Sequence, residues 1–297
     1  MNVVPPRPHA HVFTPRQALS GRAPLYFVSG IGFYYVAIYG YWLYQLSTEP
    51  GHPPSVDGSD GSSPDPDTSD RYNDLAQSFD NEVDTTETLS GIDAVRKRLV
   101  NQATGHVLET SVGTGRNAKY YNLRACKSIT FLDQSGPMLE IARQKWKELH
   151  PKLPTETKIA FRQQAALELA DAPEEGYDTI IQTMGVCSTP VPMDTLRHLG
   201  GLLNPRTGRL LLIEHGRAYY DWINFILDRS ARGHGEKYGC YHNRDIGEIV
   251  KQSGLVVQRM ERPHWWNLGT VWLVEARPNG WKEPQAHVGR AQARRLV

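Results

Sequence analysis

Cysteine is scarce in this chain. Cys126, Cys187 and Cys240 are too few for a disulfide framework, which excludes a small secreted scaffold. An excess of charge is also missing: 33 basic against 32 acidic side chains leave a net +1, whereas a dedicated nucleic-acid binder is usually basic. There is no internal repeat. The local absences say more. Residues 1–46 contain no acid, only Arg7, Arg16 and Arg22. No charged residue occurs from Ala23 to Thr48. Residues 47–70 contain acids but no Lys or Arg, and the tail 279–297 sets Lys282, Arg290, Arg294 and Arg295 against Glu283 alone. What remains is a balanced segment long and apolar enough for one large domain, with 39% hydrophobic residues in the chain as a whole.

The charge order divides the chain. Residues 1–22, with Arg, Ser, Thr and His but no Asp, Glu or Lys, suit a mitochondrial targeting segment, although Pro5, Pro6, Pro8 and Pro15 weaken any amphipathic helix there. Residues 23–46 read as a transmembrane helix. From Pro24 to Leu46 a helix spans roughly 34 Å at 1.5 Å per residue, against a hydrocarbon core of about 30 Å. Pro24 stands where a missing N–H costs least, and Tyr26, Trp42 and Tyr44 stand near the ends, where aromatic rings favour the interface. The stretch exceeds a signal-peptide h-region, and no clear cleavage site follows it. The positive flank precedes the span. In the mitochondrial inner membrane this orientation places the rest of the chain in the intermembrane space. Residues 47–70, rich in Pro, Gly, Ser and Asp, read as a disordered acidic linker.

From residue 71 to 278 short apolar runs alternate with helical stretches. Strands are expected at His106–Thr110, Ser128–Leu132, Ile159–Gln163, Tyr177–Gln182 and Arg209–Ile213, closed by the pair Leu255–Glu261 and Gly269–Arg277. Helices are expected at Arg71–Ser78, Gly91–Gln102, Arg116–Tyr121, Pro137–His150, Asp194–Leu203 and Asn243–Ser253, with a short turn at Leu167–Leu169. The alternation predicts an α/β fold, a mostly parallel sheet with helices on both faces and an antiparallel edge.

The first strand runs into a loop with Gly113 and Gly115, which permit a tight turn and close approach of a ligand. A loop of this kind serves a dinucleotide, another nucleoside, or a plain turn. Glu109, four residues before Gly113, repels a pyrophosphate and suits a ligand carrying an ammonium and a sulfonium. Asp133 ends the second strand and is placed to accept two ribose hydroxyls, with Ser135 the better helix cap beside it.

These residues resemble a family. Glu109-Thr-Ser-Val-Gly-Thr-Gly115 is similar to the first motif of class I S-adenosylmethionine-dependent methyltransferases, and Phe131-Leu-Asp-Gln-Ser-Gly-Pro-Met138 to the second. Tyr72–Asp80, Tyr177–Met184 and Gly208–Glu214 resemble the flanking elements, so the likeness spans about residues 71–277. Thr183–Ser188, Glu214-His-Gly216 and Tyr238-Gly-Cys240 resemble a membrane-anchored branch, which includes fungal mitochondrial methyltransferase-like proteins and membrane-bound thiol methyltransferases. The resemblance implies a Rossmann-like seven-stranded sheet, S-adenosyl-L-methionine as cofactor, and an undetermined small-molecule or protein acceptor. It implies that Glu109 and the Gly113–Gly115 backbone hold the methionine part, Asp133 the ribose, and Gln134 and Met138 the adenine. Thr114, Asn117, Ala165, Thr183 and Met184 complete the cofactor set. The acidic residue usual in the third motif is replaced here by Gln163-Gln-Ala-Ala166, so Gln164 or a backbone group has to substitute.

His215, just after the fifth strand, is the candidate base; a histidine bonding a neighbouring loop is the competing reading. Cys187, at the rim after the fourth strand, reads as small buried packing or as a contact to substrate or cofactor, and Cys240 with His242 lacks the ligand complement of a metal site. The segment His234–His242, with Gly233, Gly235 and Gly239 as hinges, reads as a lid or an ordinary loop. Tyr219, Tyr220 and Trp222 read as helix packing or as a surface toward membrane or substrate; His264, Trp265 and Trp266 read as pocket wall or core closure. The alternative function is a non-catalytic membrane assembly or stability factor built on the same fold. An NAD-linked oxidoreductase is disfavoured by Glu109.

Overall fold

A computed structural model describes residues 66–152 and 157–283, with isolated positions at 40, 41, 44, 48 and 51. The expected targeting segment 1–22 lies outside the described residues, as does most of the tail after 283. Of the expected span 23–46 only positions 40, 41 and 44 are described, and these are helical. Among the described residues no helix is long and apolar enough to cross a membrane. Most of the expected linker 47–70 lies outside the described residues; at its end Thr68 is buried and donates to the carbonyl of Gly239, and a helix starts at Ser69.

The domain is built on seven strands, β1 (Gly105–Thr110), β2 (Cys126–Asp133), β3 (Lys158–Gln163), β4 (Thr179–Thr183), β5 (Arg209–His215), β6 (Val256–Glu261) and β7 (Val271–Arg277). They lie in the order β3-β2-β1-β4-β5-β7-β6. Strands β1 to β5 are mutually parallel, and β7 inserts antiparallel between β5 and β6. Alternation within strands divides the core between two faces. Val107, Ile129, Leu211 and Ile213 pack on one side, under α3 (Ile92–Val100) and α4 (Gly136–Leu149). Leu108, Ile180, Leu210 and Leu212 pack on the other, under α5 (Pro192–Gly201) and α7 (Ile246–Gln252). The chain order reverses between β1 and β4. In an open α/β sheet, ligands bind beyond the carboxyl ends of the strands at such a point.

The remaining helices, α1 (Ser69–Leu75), α2 (Phe79–Ser90) and α6 (Asp221–Tyr238), depart from expectation. Helix α2 has little apolar patterning in Phe-Asp-Asn-Glu-Val-Asp-Thr-Thr and was not expected; ion pairs hold it in place. Helix α6 absorbs most of the expected lid. Gly233 and Gly235 lie inside it, and Gly235 lets the ring of Tyr241 approach within a distance that a Cβ would forbid. Only Gly239 takes a left-handed conformation, φ +74°, to stop the helix. The expected helix Arg116–Tyr121 shrinks to one 3-10 turn, Ala118–Tyr120, because the side chains there serve the loop.

Candidate functional site

The glycine loop joins β1 to the rest of the site through main-chain groups. Gly113 has φ +57°, and a Cβ on it would meet nothing within 4 Å, so its backbone faces open space. Gly115 has φ +77°, and a Cβ there would come to 3.0 Å from the Cα of Ala142. One glycine therefore opens the loop to a ligand and the other lets α4 pack beneath it. Asp133 links the loop to the tip of β2: its carboxylate accepts from the N–H of Gly113 at 2.7 Å and of Ser135 at 2.9 Å. Ser135 caps α4, its Oγ accepting from Met138 N at 3.3 Å, with Pro137 in the first turn. Burial raises the Asp133 pKa, and the two N–H groups oppose that rise.

Below the loop lies a buried polar network. Arg96, on the otherwise apolar face of α3, pairs with Glu87 at 2.7 Å and donates to Asn117 at 2.9 Å and Thr183 at 2.8 Å. Asn117 donates onward to Glu109 at 2.9 Å, and the Tyr121 hydroxyl takes the other carboxylate oxygen. Burial pushes the Glu109 pKa up to about 7, against the Tyr121 and Asn117 hydrogen bonds, which lower it. Above the loop, Arg116 binds Asp84 at 2.6 Å, Glu87 at 2.9 Å and Asp80 at 3.1 Å, all from α2. Thr114 and Lys145 each reach Asp80 at 2.6 Å. The glycine loop is thus clamped between α2, α3 and α4.

A cavity of about 580 Å³ opens above the β1–β4 crevice. Its wall contains Gly113, Thr114, Asp133, Gln134, Met138, Gln164, Ala165, Thr183, Met184 and His215 among the expected positions. Glu109, Gly115 and Asn117 are not on the wall. Glu109 is turned into the network below, with both oxygens occupied by protein donors, Asn117 and Tyr121. Gln164 extends its amide to the carbonyl of Glu168 at 2.6 Å, bracing the turn after β3. Two non-glycine residues on the wall take left-handed conformations, Ser111 at φ 52° and Met184 at φ 58°. They end β1 and β4 on either side of the crevice, and strain of this kind collects at ligand sites.

The far end of the cavity is different in kind. His215 faces Tyr72, Cys187, His234, Tyr238 and Cys240 around the same space. Burial, with His234 nearby, lowers the His215 pKa to about 4, so the ring is neutral near pH 7 and able to accept a proton. His242 is held at about 3 by burial and by its histidine neighbours. The Cys187 and Cys240 sulfurs meet at 2.9 Å, and the Tyr72 hydroxyl meets Ser188 Oγ at 2.6 Å. The hydrogen bond from Cys240 lowers the Cys187 pKa and raises that of Cys240. Cys187 thus packs as expected and also forms part of the cavity wall. Glu214 stays behind it, accepting from Gly185 N at 3.1 Å and holding the turn after β4. Among the described residues no group of three or more His, Cys, Asp or Glu is placed to hold a metal ion.

Sequence reasoning missed Tyr72, Phe79, Arg96, Ser111 and Arg116. Arg96 had a legible signal, a cation among Ile92, Val95 and Leu99 on one helical face. Left-handed Ser111 and Met184 had none.

Comparison with known proteins agrees with this architecture. A family model described as a methyltransferase domain matches residues 85–259. The mitochondrial methyltransferase OMS1 of Saccharomyces cerevisiae is 38% identical over 227 residues, 72% of this chain and 47% of the yeast protein. A phosphatidylethanolamine N-methyltransferase of Cereibacter sphaeroides is 32% identical over 116 residues, 39% of this chain and 53% of that protein. The chain spans about half the length of these curated relatives. In fold it is similar to the N-methyltransferase NodS of Bradyrhizobium japonicum, solved with S-adenosyl-L-homocysteine. The TM-score is 0.52 at 15% identity, covering 72% of this chain and 99% of that one. With the family model covering more than half of its length, the chain belongs to the methyltransferase-domain family of S-adenosylmethionine-dependent enzymes.

Proposed function

We propose that this protein transfers a methyl group from S-adenosyl-L-methionine to a small or side-chain-sized acceptor, while anchored in the mitochondrial inner membrane with its domain in the intermembrane space. The observation that carries the reading is the cavity's polarity of function: a ligand-cradling loop and an acidic strand tip at one end, a neutral imidazole at the other.

The residues present fit the cofactor. Gly113 leaves room for close backbone approach, and Asp133 presents a carboxylate on the wall. Gly113, Thr114 and Ser111 would hold the methionine part, Asp133 the ribose, and Gln134, Met138, Gln164 and Ala165 the base. When bound, the cofactor supplies a methyl group on a sulfonium, which needs little chemical activation. The protein's task is then mainly to position the acceptor and exclude water. His215 takes a proton from an acceptor that must lose one; its lowered pKa leaves the ring unprotonated throughout the neutral range and makes it a weaker base than a free imidazole. Glu109 acts from behind the loop, orienting Asn117 and adding negative potential.

The mitochondrial setting is supported by the likeness to a mitochondrial yeast relative, the targeting composition of residues 1–22 and the uncharged stretch 23–46. Calorimetry with S-adenosylmethionine tests cofactor binding, and the absence of heat at millimolar ligand sinks the reading. Labelled-methyl transfer into mitochondrial extracts, comparing wild type with Gly113→Arg, tests catalysis. A variant that supports growth without transferring label assigns the essential role to a non-catalytic assembly or stability factor. Digestion of mitoplasts tests topology: a domain protected until the inner membrane is lysed faces the matrix instead.

A further inference from the structure

The aromatic residues around β7 neither line the cavity nor close the core. Tyr219, Tyr220, Trp222, Phe225, Trp265 and Trp266 are all exposed; Trp222 shows 61% and Trp265 81% of its surface to solvent. None of them is on the cavity wall. They come from two segments, the start of α6 and the loop before β7, which the main chain ties together: Tyr219 N donates to Leu268 O at 3.2 Å, and Gly269 lies against the Tyr219 ring. Tyr219 and Tyr220 meet edge-on at 6.5 Å, as do Trp265 and Trp266 at 6.2 Å. Trp266 is pinned to the end of α2 by its indole N–H on Ser90 O, at 3.2 Å. The face is therefore held in place rather than loosely splayed.

Two arginines are set among these rings. Arg262 lies over Tyr219 at 4.4 Å and over Trp272 at 3.8 Å; Arg229 lies over Phe225 at 3.7 Å. Their guanidinium groups rest on aromatic faces and form no ion pair with a carboxylate among the described residues, unlike Arg217, which is held by Asp228. Exposed Trp and Tyr interleaved with Arg are the composition of a surface that sits at the headgroup level of a bilayer, ring bodies in the apolar boundary and cations at the phosphates. A monomer with a purely aqueous surface rarely keeps so many large aromatic side chains in one place.

We propose that this face, the start of α6 with the loop before β7, docks on the surface of the membrane that anchors the chain. The proposal rests on the anchor reading for residues 23–46. Charge and ring chemistry support the docking: two guanidinium groups stacked on aromatic faces stand among exposed indole and phenol rings, the combination that suits anionic headgroups above an apolar boundary. The occupant is the lipid interface itself, with anionic headgroups favoured by Arg229 and Arg262.

Tryptophan quenching by brominated phosphatidylcholine tests this with the full chain reconstituted in vesicles containing some phosphatidylglycerol. Differences between wild type and Trp222→Phe, Trp265→Phe and Trp42→Phe isolate each indole. Rings at the headgroup level are expected to lose about half or more of the Trp222 and Trp265 difference emission in brominated vesicles. Trp42 reports separately on the anchor. If Trp42 is quenched while Trp222 and Trp265 are not, docking is overturned and the face is free for a protein partner. If Trp222 and Trp265 are quenched while Trp42 is not, docking stands and the anchor reading fails. If none is quenched, both fail. Removing phosphatidylglycerol is expected to weaken the Trp222 and Trp265 signals and leave Trp42 unchanged; a signal indifferent to lipid charge removes the role given to the arginines.

Discussion

The two ends of the cavity are made of different materials. The glycine-loop end is held by two sets of hydrogen bonds, one joining Arg96, Asn117, Glu109 and Thr183 and the other joining Asp133 to the N–H groups of Gly113 and Ser135. The His215 end is an assembly of imidazoles, thiols and phenols from α1, β5, α6 and the turn after β4, where burial lowers the His215 and His242 pKa values and the hydrogen bond from Cys240 lowers that of Cys187. The first end has its geometry imposed by hydrogen bonds before any ligand arrives. The second presents groups whose reactivity is set by desolvation and whose spacing depends on helix packing. A shared ligand can be held at the rigid end while the acceptor is chosen at the other.

The sharpest test of that contrast is Arg96→Met. Removing Arg96 leaves Arg116 as the remaining guanidinium partner of Glu87 and takes the donor from Asn117 and Thr183, and a loss of about 2–3 kcal/mol in denaturant unfolding is expected. A loss below about 1 kcal/mol would mean that the network does not brace the loop. At the His215 end the effect should appear in rate instead. His215→Asn is expected to lower kcat by about 10²-fold or more if the acceptor gives up a proton, with little change in the unfolding midpoint. Equal kcat in the two proteins would make His215 a wall residue.

The glycines sharpen the comparison within one loop. Gly115→Ala forces a Cβ toward the Ala142 backbone at positive φ and should cost about 1–3 kcal/mol, with weakened cofactor binding. Gly113→Ala meets open space and carries only the left-handed strain, about 1 kcal/mol. Reversal of that order in thermal unfolding would contradict the packing described here.

In pH dependence the two ends oppose one another. Glu109 titrates at about 7 in the fold against 4.5 ordinarily. Its favourable contribution is therefore full below 4.5 and is lost as pH rises to 7. His215 and His242 titrate at about 4 and 3 against 6.5. Their contribution is full above 6.5 and is lost as pH falls toward those values. Stability is expected to decline on both sides of an optimum. Glu109→Gln should flatten the alkaline limb and His242→Phe the acid one, read from unfolding midpoints across pH.

Much of this was legible in residues alone. All seven strands were expected close to their observed limits, because each is an apolar run bounded by turn residues, and so was the cap Ser135. Helix α2 was not, since its stability comes from Arg116 across the loop rather than from an apolar stripe. Helix α6 was hidden by its glycines, which read as hinges until the ring of Tyr241 is seen to need the space. Glu109 was expected to face the ligand, and its carboxylate instead turns to Tyr121 and Asn117, a choice made by partners distant in position along the chain or around a turn.

Local order and chemistry were therefore set by the sequence: the strand and helix alternation, the glycine loop, the acid at the tip of β2, and the family to which these belong. The periodicity and turn propensities responsible act over a few residues. Tertiary structure alone decided which polar groups are buried together, how far their pKa values move, and which aromatic rings are left outside. Those outcomes depend on desolvation and on contacts between segments such as Tyr72 with Ser188 or Cys187 with Cys240, which no local pattern encodes.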